Sequence, residues 1–419
     1  MLAAPVYFSP VRVLFLTHYY PPELGAAPAR IAALAHGLAD RGLEVSVHTG
    51  FPHYPSGTIA APYRNRALVR EREGHVRVLR SAVYAAANRG FARRLADHAA
   101  FAAGALATSR AAGAVDVVVA ETPPLFTAAA GAAYARLKGA RLALNVSDLW
   151  PESAIELGAL SSAPAVAAAH SLARLCYRRA ALITAPTMGI VDSLSGRPEA
   201  SGKLVHVPPA VDLARFDSIP LSRPRANAPL RVLYAGTLGM AQGARTLVEA
   251  AALAGPETVE LTIAGEGPDA PVLRSEIRAR SVANVTMLGA VAPERIRALY
   301  EAADAGVVPL RDRAIFAGAL PSKLFEVLAA GRPAIVAARG EAAELVLGAG
   351  AGLIVPPEDA QALASAFARL RSGPAEALAM GERGRAKARE FDRPAAVQRW
   401  WELLTGRLGP MGSPGSQDP

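Results

Sequence analysis

The sequence predicts an α/β protein built from two Rossmann-like, doubly wound parallel-sheet domains that face one another across a cleft. Three observations predict it. Short apolar runs suited to buried parallel strands alternate with Ala-rich stretches of helical spacing. The alternation stops at a proline-rich break after residue 212 and restarts at Leu230. A chain of 419 residues is also long enough for two or three domains, each with a substantial core.

Taken in order, the run Val11-Arg-Val-Leu-Phe-Leu-Thr17 is apolar enough for a strand covered on both faces, and the stretch through Pro21, Pro22 and Gly25 reads as a loop. Ile31, Leu34 and Leu38 recur at helical spacing, Gly42 ends that helix, and Val45 and Val47 mark the next strand. Further strands are expected near 76–79, 115–120, 141–146, 182–185 and 204–207, which defines a first domain over residues 1–212. Pro220, Pro224 and Pro229 interrupt every regular pattern across 213–229, which reads as a linker. The second domain, 230–392, repeats the logic with strands near 230–235, 259–264, 285–288, 305–309, 334–337 and 352–355. Residues 360–371 pattern as a helix. A last helix, 393–405, is expected to pack back toward the first domain, and 406–419, rich in Gly, Pro and Ser, to form a disordered tail.

Lys and Arg number 45 against 36 Asp and Glu, a formal charge of +9. Only Lys138, Lys203, Lys323 and Lys387 are lysines, so the excess is arginine, spread along the chain. That spacing argues against a nucleic-acid binder, which concentrates its cations in a stripe, and leaves phosphorylated substrates or an anionic membrane face as partners. Cys176 is the sole cysteine, so no intrachain disulfide can form and a reducing, cytoplasmic compartment is expected. The first ten residues make a poor signal peptide, and the Ala-rich stretches are too short to span a bilayer, so membrane contact should be peripheral, on the inner face of the plasma membrane.

In such folds ligands sit beyond the carboxyl ends of the strands. There, Gly236-Thr-Leu-Gly239-Met-Ala-Gln242-Gly243 and Gly265-Glu-Gly267-Pro268 each follow a strand of the second domain. Either can cradle a phosphate or be merely a tight turn. Pro321-Ser-Lys-Leu-Phe-Glu326 opens a helix on which Lys323 and Glu326 share a face. An ammonium beside helix-end amides suits a diphosphate, and a carboxylate one turn inside suits a ribose; the alternative is a surface ion pair. In the first domain all eight histidines precede residue 207. His18 follows the opening strand and is placed to face the cleft, His53 and Tyr54 follow the second, and Asp148 with Trp150 ends a central strand as a pair suited to a sugar or to a proton, or as a local cap. No Asp-x-Asp and no His or Cys spacing indicates a metal.

Tyr20-Pro-Pro-Glu-Leu-Gly-Ala-Ala-Pro-Ala-Arg30, Gly50-Phe-Pro-His-Tyr-Pro55, Asp148-Leu-Trp-Pro-Glu-Ser153, Ala241-Gln-Gly243 and Pro321-Ser-Lys-Leu-Phe-Glu326 resemble, in order, the retaining glycosyltransferases of family 4, in the branch that builds O-antigen, colanic acid and capsular polysaccharides. The resemblance covers about residues 11–404 and implies the GT-B architecture. It implies a nucleotide-diphosphate sugar, a UDP-sugar in the first instance, held by Gly236, Thr237, Leu238, Gly239, Gln242, Gly265, Gly267, Ser322, Lys323 and Glu326. It implies a polyprenyl-diphosphate-linked glycan acceptor near Glu23, Gly25, Arg30, His53, Tyr54 and Trp150, catalytic roles for Asp148 and His18, and neither cofactor nor metal. The chain departs from the family at four places: Gly318 stands where a first glutamate is usual, Ser147 where a histidine precedes Asp148, Pro209-Ala210 where Asn-Gly is usual, and Gln242 where a diphosphate-binding lysine is usual. Gly318 keeps open a second reading, an inactive sugar-nucleotide-binding or membrane-scaffold protein. A Rossmann oxidoreductase is disfavoured because no Gly-x-Gly-x-x-Gly follows the opening strand. Arg89, Phe91, Arg93 and Arg94 form the expected membrane-docking patch.

Overall fold

The computed structural model describes residues 10–23, 25–54, 56–85, 91–225 and 227–408. Its first sheet contains β1 (Arg12–Leu16), β2 (Glu44–Gly50), β3 (Leu68–Glu73), β4 (Val76–Ser81), β5 (Val117–Thr122), β6 (Arg141–Val146), β7 (Leu182–Ala185) and β8 (Leu204–His206). They lie in the order β3-β4-β2-β1-β5-β6-β7-β8, parallel throughout except that β3 runs antiparallel to β4. β1, β5 and β7 are almost wholly buried and mostly Val, Leu, Ile and Ala, because helices cover both faces. β3 is the strand the sequence reading misses: Leu-Val-Arg-Glu-Arg-Glu alternates polar residues outward at a sheet edge.

The helices around this sheet are α1 (Ala26–Ala39), α2 (Phe91–Ala107), α3 (Leu125–Lys138), α4 (Glu152–Glu156), α5 (Ala163–Arg179) and α6 (Met188–Ser195). The second sheet contains β9 (Leu230–Ala235), β10 (Val259–Ala264), β11 (Val285–Gly289), β12 (Ala305–Pro309), β13 (Ala334–Ala337) and β14 (Gly352–Val355), all parallel in the order β11-β10-β9-β12-β13-β14. Around it run α7 (Arg245–Ala254), α8 (Ala270–Ala279), α9 (Pro293–Ala302), α10 (Ser322–Ala329), α11 (Glu341–Ala349), α12 (Ala360–Ser372), α13 (Pro374–Ala388) and α14 (Arg393–Glu402). Strand order reverses between β1 and β5 and again between β9 and β12, so each domain has one switch point where loops diverge and leave a crevice.

The chain joins the domains twice. On the first crossing, Phe216 and Ile219 are buried in the second domain's core with Leu233, Tyr300 and Leu328, so the segment from 213 is packed rather than free. On the second, the Val211 N–H donates to the Phe391 carbonyl (2.8 Å) and the Arg393 N–H to the Val211 carbonyl (3.0 Å). From there α14 returns to the first domain: Val397 fills the space over Gly37, where a Cβ would come within 2.8 Å of its Cγ2, and Trp400, Leu403 and Leu404 join Phe15, Ile31 and Leu34 in one core. The expected tail beyond Leu408 and Arg89 of the expected docking patch lie outside the described residues.

Trp400 is therefore the anchor of the return helix. Trp400→Ala removes a large buried side chain and should destabilise the α14 contact by about 3 kcal/mol or more. Thermal unfolding followed by circular dichroism should show a clearly lowered midpoint, whereas an unchanged midpoint would mean that α14 is not held by this core.

Candidate active site

A cavity of about 810 Å³ lies between the two switch points. Its first-domain wall is built at the carboxyl ends of β5 and β6. Glu121, the last-but-one residue of β5, accepts from Arg30 (2.6 Å) and from the Asn145 side-chain amide (2.8 Å), and the Ser147 hydroxyl accepts from the same two groups at 2.9 and 3.0 Å. The Thr184 hydroxyl on β7 donates to Asn145 Oδ1 (2.9 Å), which fixes the amide orientation. Beside this network stands Asp148, whose Oδ2 accepts from Ser153 (2.8 Å); burial pushes its carboxyl above the usual range, against that hydrogen bond.

The second-domain wall is α10 with the connecting segment. No side chain caps α10, and Ser322 and Glu326 face the cavity. Glu326 Oε2 accepts from the Tyr300 hydroxyl (3.3 Å), and burial raises its pKa while Arg215, Tyr300, Lys323 and Arg393 pull it back. Lys323 is turned away from Glu326: its Nζ donates to the Tyr234 hydroxyl (2.6 Å), lies 3.9 Å from that ring's centroid and rests against Gly236. Burial pushes its ammonium down to about 7.

The glycine loops lie off this cavity. Gly236, Thr237, Leu238, Gly239, Gly265 and Gly267 do not line the cavity. A Cβ at Gly265 would stand 1.8 Å from the Gly236 carbonyl oxygen and one at Gly267 2.1 Å from that of Leu238, so these glycines let two loops pack backbone on backbone. Leu238 is a core residue, and Gln242, which does line the cavity, accepts the Gly239 N–H through its Oε1 (3.1 Å). Of the expected donor residues, Gln242, Ser322 and Glu326 line the cavity, and Lys323 sits behind it.

His18 does not face the cleft, which corrects the expected placement. Its side chain is fully buried, with Nε2 3.1 Å from Asp97 Oδ2, and the same oxygen lies 2.9 Å from His53 Nε2. His53 Nδ1 is 2.8 Å from the Phe51 carbonyl, and Glu23 Oε1 accepts the N–H groups of His53 (3.0 Å) and Tyr54 (2.9 Å). Glu23, His18 and His53 thus brace the loops after β1 and β2, and Asp97 on α2, which has no sequence signal, is the common partner of the two histidines. Gly25, at φ 149°, precedes α1, whose Arg30 does line the cavity. Trp150 and Arg94 line a smaller hollow of about 220 Å³ with His98, and Arg93 is exposed; the Phe91 side chain of the expected docking patch lies outside what the structure describes.

Gly318 is accounted for by the opposite domain. It faces Gly189 in the first turn of α6, and a Cβ on Gly318 would approach the Gly189 Cα to 2.8 Å. Next to this contact, the Glu341 carboxylate at the start of α11 accepts the Met188 N–H (2.9 Å) and the Gly189 N–H (3.0 Å). A backbone therefore occupies the place of the usual glutamate side chain.

Burial lowers the His53 pKa, but the acceptors at its two ring nitrogens, Asp97 and the Phe51 carbonyl, with the Glu23 charge, outweigh it and leave the pKa raised, while the two histidines draw Asp97 down to about 2. The His53 share of stability is complete below its ordinary value of about 6.5. It is lost as pH rises through the elevated folded value. The Asp97 share is present above its ordinary range and lost as pH falls through about 2. Urea midpoints should fall between pH 6 and 9 in the parent and change much less in Asp97→Asn; parallel curves would remove the charged pair.

Residues 25–210 match the family model "Glycosyl transferase 4-like domain" and residues 229–372 the model "Glycosyl transferases group 1". The chain is 24% identical over 373 residues to WcaI of Escherichia coli (strain K12), a colanic acid biosynthesis glycosyl transferase by name, with 84% of this chain and 90% of that one aligned. In fold it is similar to sucrose-phosphate synthase from Thermosynechococcus elongatus, with a TM-score of 0.74, 19% identity and coverage of 94% and 98%. It is also similar to Anabaena HepE crystallised with UDP-glucose, with a TM-score of 0.68, 19% identity and coverage of 94% and 99%.

Proposed function

Because the chain belongs to the family 4 type of glycosyltransferase, with two facing Rossmann-like sheets in the GT-B arrangement, we propose that it transfers a sugar, with retention of anomeric configuration, from a nucleotide-diphosphate sugar to a lipid-linked glycan in cell-surface polysaccharide synthesis. The observation that carries the reading is the disposition of the cavity walls: Glu326 and the first turn of α10 on one side, and the Arg30–Glu121–Asn145–Ser147 network with Asp148 on the other. A UDP-sugar is the first choice of donor because HepE, similar in fold, was crystallised with UDP-glucose. Polysaccharide synthesis follows the likeness to WcaI, and a polyprenyl-diphosphate carrier would bring the protein to the inner face of a membrane.

On this reading Glu326 accepts the ribose hydroxyls, and the α10 amides face the diphosphate with Lys323 behind them. An anion beside Lys323 would restore the protonation that burial weakens. The acceptor oxygen attacks the anomeric carbon from the face that the diphosphate leaves, the bond from that carbon to the diphosphate oxygen breaks, and the leaving oxygen takes the acceptor proton. Asp148 and the neighbouring network orient the acceptor hydroxyl, so catalysis rests on positioning and charge stabilisation more than on a strong base. The reading takes the reaction to be metal-independent, as the family resemblance implies; His18, His53 and Asp97, which could hold a metal ion, lie outside the cavity.

Hydrolysis of a panel of nucleotide sugars, followed by release of the nucleoside diphosphate, tests this function. One donor should be consumed above background, and Glu326→Gln should weaken its binding by about ten- to hundredfold. Binding without turnover, with or without a lipid-linked acceptor, would favour the scaffold reading. A second expectation concerns Gly318. Gly318→Glu supplies the usual family carboxylate but drives it into Gly189, so turnover should fall rather than rise; an increase would show that the chain lacks a catalytic glutamate it can accommodate.

A further inference from the structure

The proposed reading leaves a charge deficit. A leaving nucleoside diphosphate carries more negative charge than α10 amides and one lysine readily balance, and that lysine is directed to the Tyr234 hydroxyl and ring. The loop after β9 adds no cation to the cavity: it brings Ala241 and Gln242 to the wall, and Gln242 is folded onto Gly239.

The connecting segment supplies an arginine at this place. Arg215 ends the short turn Leu213–Arg215 and lines the cavity with Ser322, Gln242 and Glu326. Its backbone is fixed, because Phe216 and Ile219 are sunk into the second-domain core and the Phe216 N–H donates to the Leu213 carbonyl (2.8 Å). The guanidinium carbon lies 5.6 Å from the Phe216 ring centroid, which defines the direction of the side chain. Its Nη2 is buried and has no hydrogen-bond partner, although the guanidinium is close enough to Glu326 to affect that carboxyl. A buried, unpaired guanidinium nitrogen is unfavourable and expects an acceptor. By contrast Arg393, the other arginine of this wall, is engaged with Asp212 (2.9 Å).

We infer that Arg215 is a donor-binding residue that contacts the diphosphate of the nucleotide sugar, standing in from the inter-domain segment for the cation that the glycine-rich loop lacks. A guanidinium suits this task, since it stays charged at any pH the enzyme meets and can give two parallel hydrogen bonds to phosphate oxygens. The segment is also shared by both domains, so the charge that receives the leaving group is set by the same turn that sets the domain junction. This inference rests on the proposed function.

The test is calorimetric titration of the parent, Arg215→Gln and Arg215→Lys with UDP, GDP and ADP and with the matching nucleosides, circular dichroism confirming that each variant is folded. The nucleoside diphosphate that the parent prefers should bind Arg215→Gln about ten- to hundredfold more weakly, its nucleoside should bind within about twofold of the parent, and Arg215→Lys should recover part of the loss. With the active donor, kcat should fall more than KM rises. If the parent binds the diphosphate and Arg215→Gln binds it equally well, or loses diphosphate and nucleoside affinity alike, Arg215 acts only through Glu326 or the fold and the inference fails alone. If the parent binds none of the nucleotides, the proposed function fails with it.

Discussion

The contact between Gly189 and Gly318 sets the geometry on which the rest of the molecule depends. Two residues without side chains allow the first turn of α6 and the turn before α10 to meet backbone to backbone. Beside them, Glu341 reaches from the second domain to two N–H groups at the start of α6, where a helix leaves amides unpaired and its dipole favours a carboxylate. The pairing of Val211 with Phe391 and Arg393 ties the domains a second time. With these attachments in place, the carboxyl ends of both sheets open onto one cavity.

Within that cavity the two walls differ in kind. The first-domain wall is a hydrogen-bond network in which Arg30 and Asn145 each donate to both Glu121 and Ser147, although the Arg30 Nε is buried without a partner, so it holds hydroxyl-orienting groups in place. The second-domain wall is left open in the electrostatic sense. α10 has no side-chain cap, Arg215 keeps a buried nitrogen unpaired, and burial holds Lys323 near neutrality and Glu326 above its ordinary range. Such a surface is completed by an anion with adjoining hydroxyls, which is the chemistry of a nucleoside diphosphate.

Much of the fold was legible because strands covered on both faces must be continuous apolar runs, and β1, β9, β12 and β13 announce themselves in that way. β3 was not, since an edge strand may carry charge, and α13 was not, because Gly381 and Gly384 interrupt its pattern while meeting the Gly331 carbonyl and Leu328. In the site, Glu326 could be read from its place one turn inside its helix, whereas the face expected to be shared with Lys323 is not kept, because the Lys323 ammonium reaches the Tyr234 hydroxyl. Loop glycines could not be assigned to ligand or packing without knowing that Gly265 lies on Gly236. His18 was misread because its partner, Asp97, is 79 residues away on another element. Glu121 could have been found by the reasoning that found Asp148, whereas Arg215 and Glu341 gain meaning only when the domains meet.

Hydrogen exchange of the intact protein with and without saturating UDP tests the central claim most directly, since it reports where the nucleotide sits without requiring turnover or a known acceptor. Nucleotide held by α10 and the connecting segment predicts slowed exchange in peptides covering Ser322–Ala329 and Leu213–Asp217, with little change across β3 and β4. Unchanged exchange in both peptides, or protection confined to the first domain, would contradict the account.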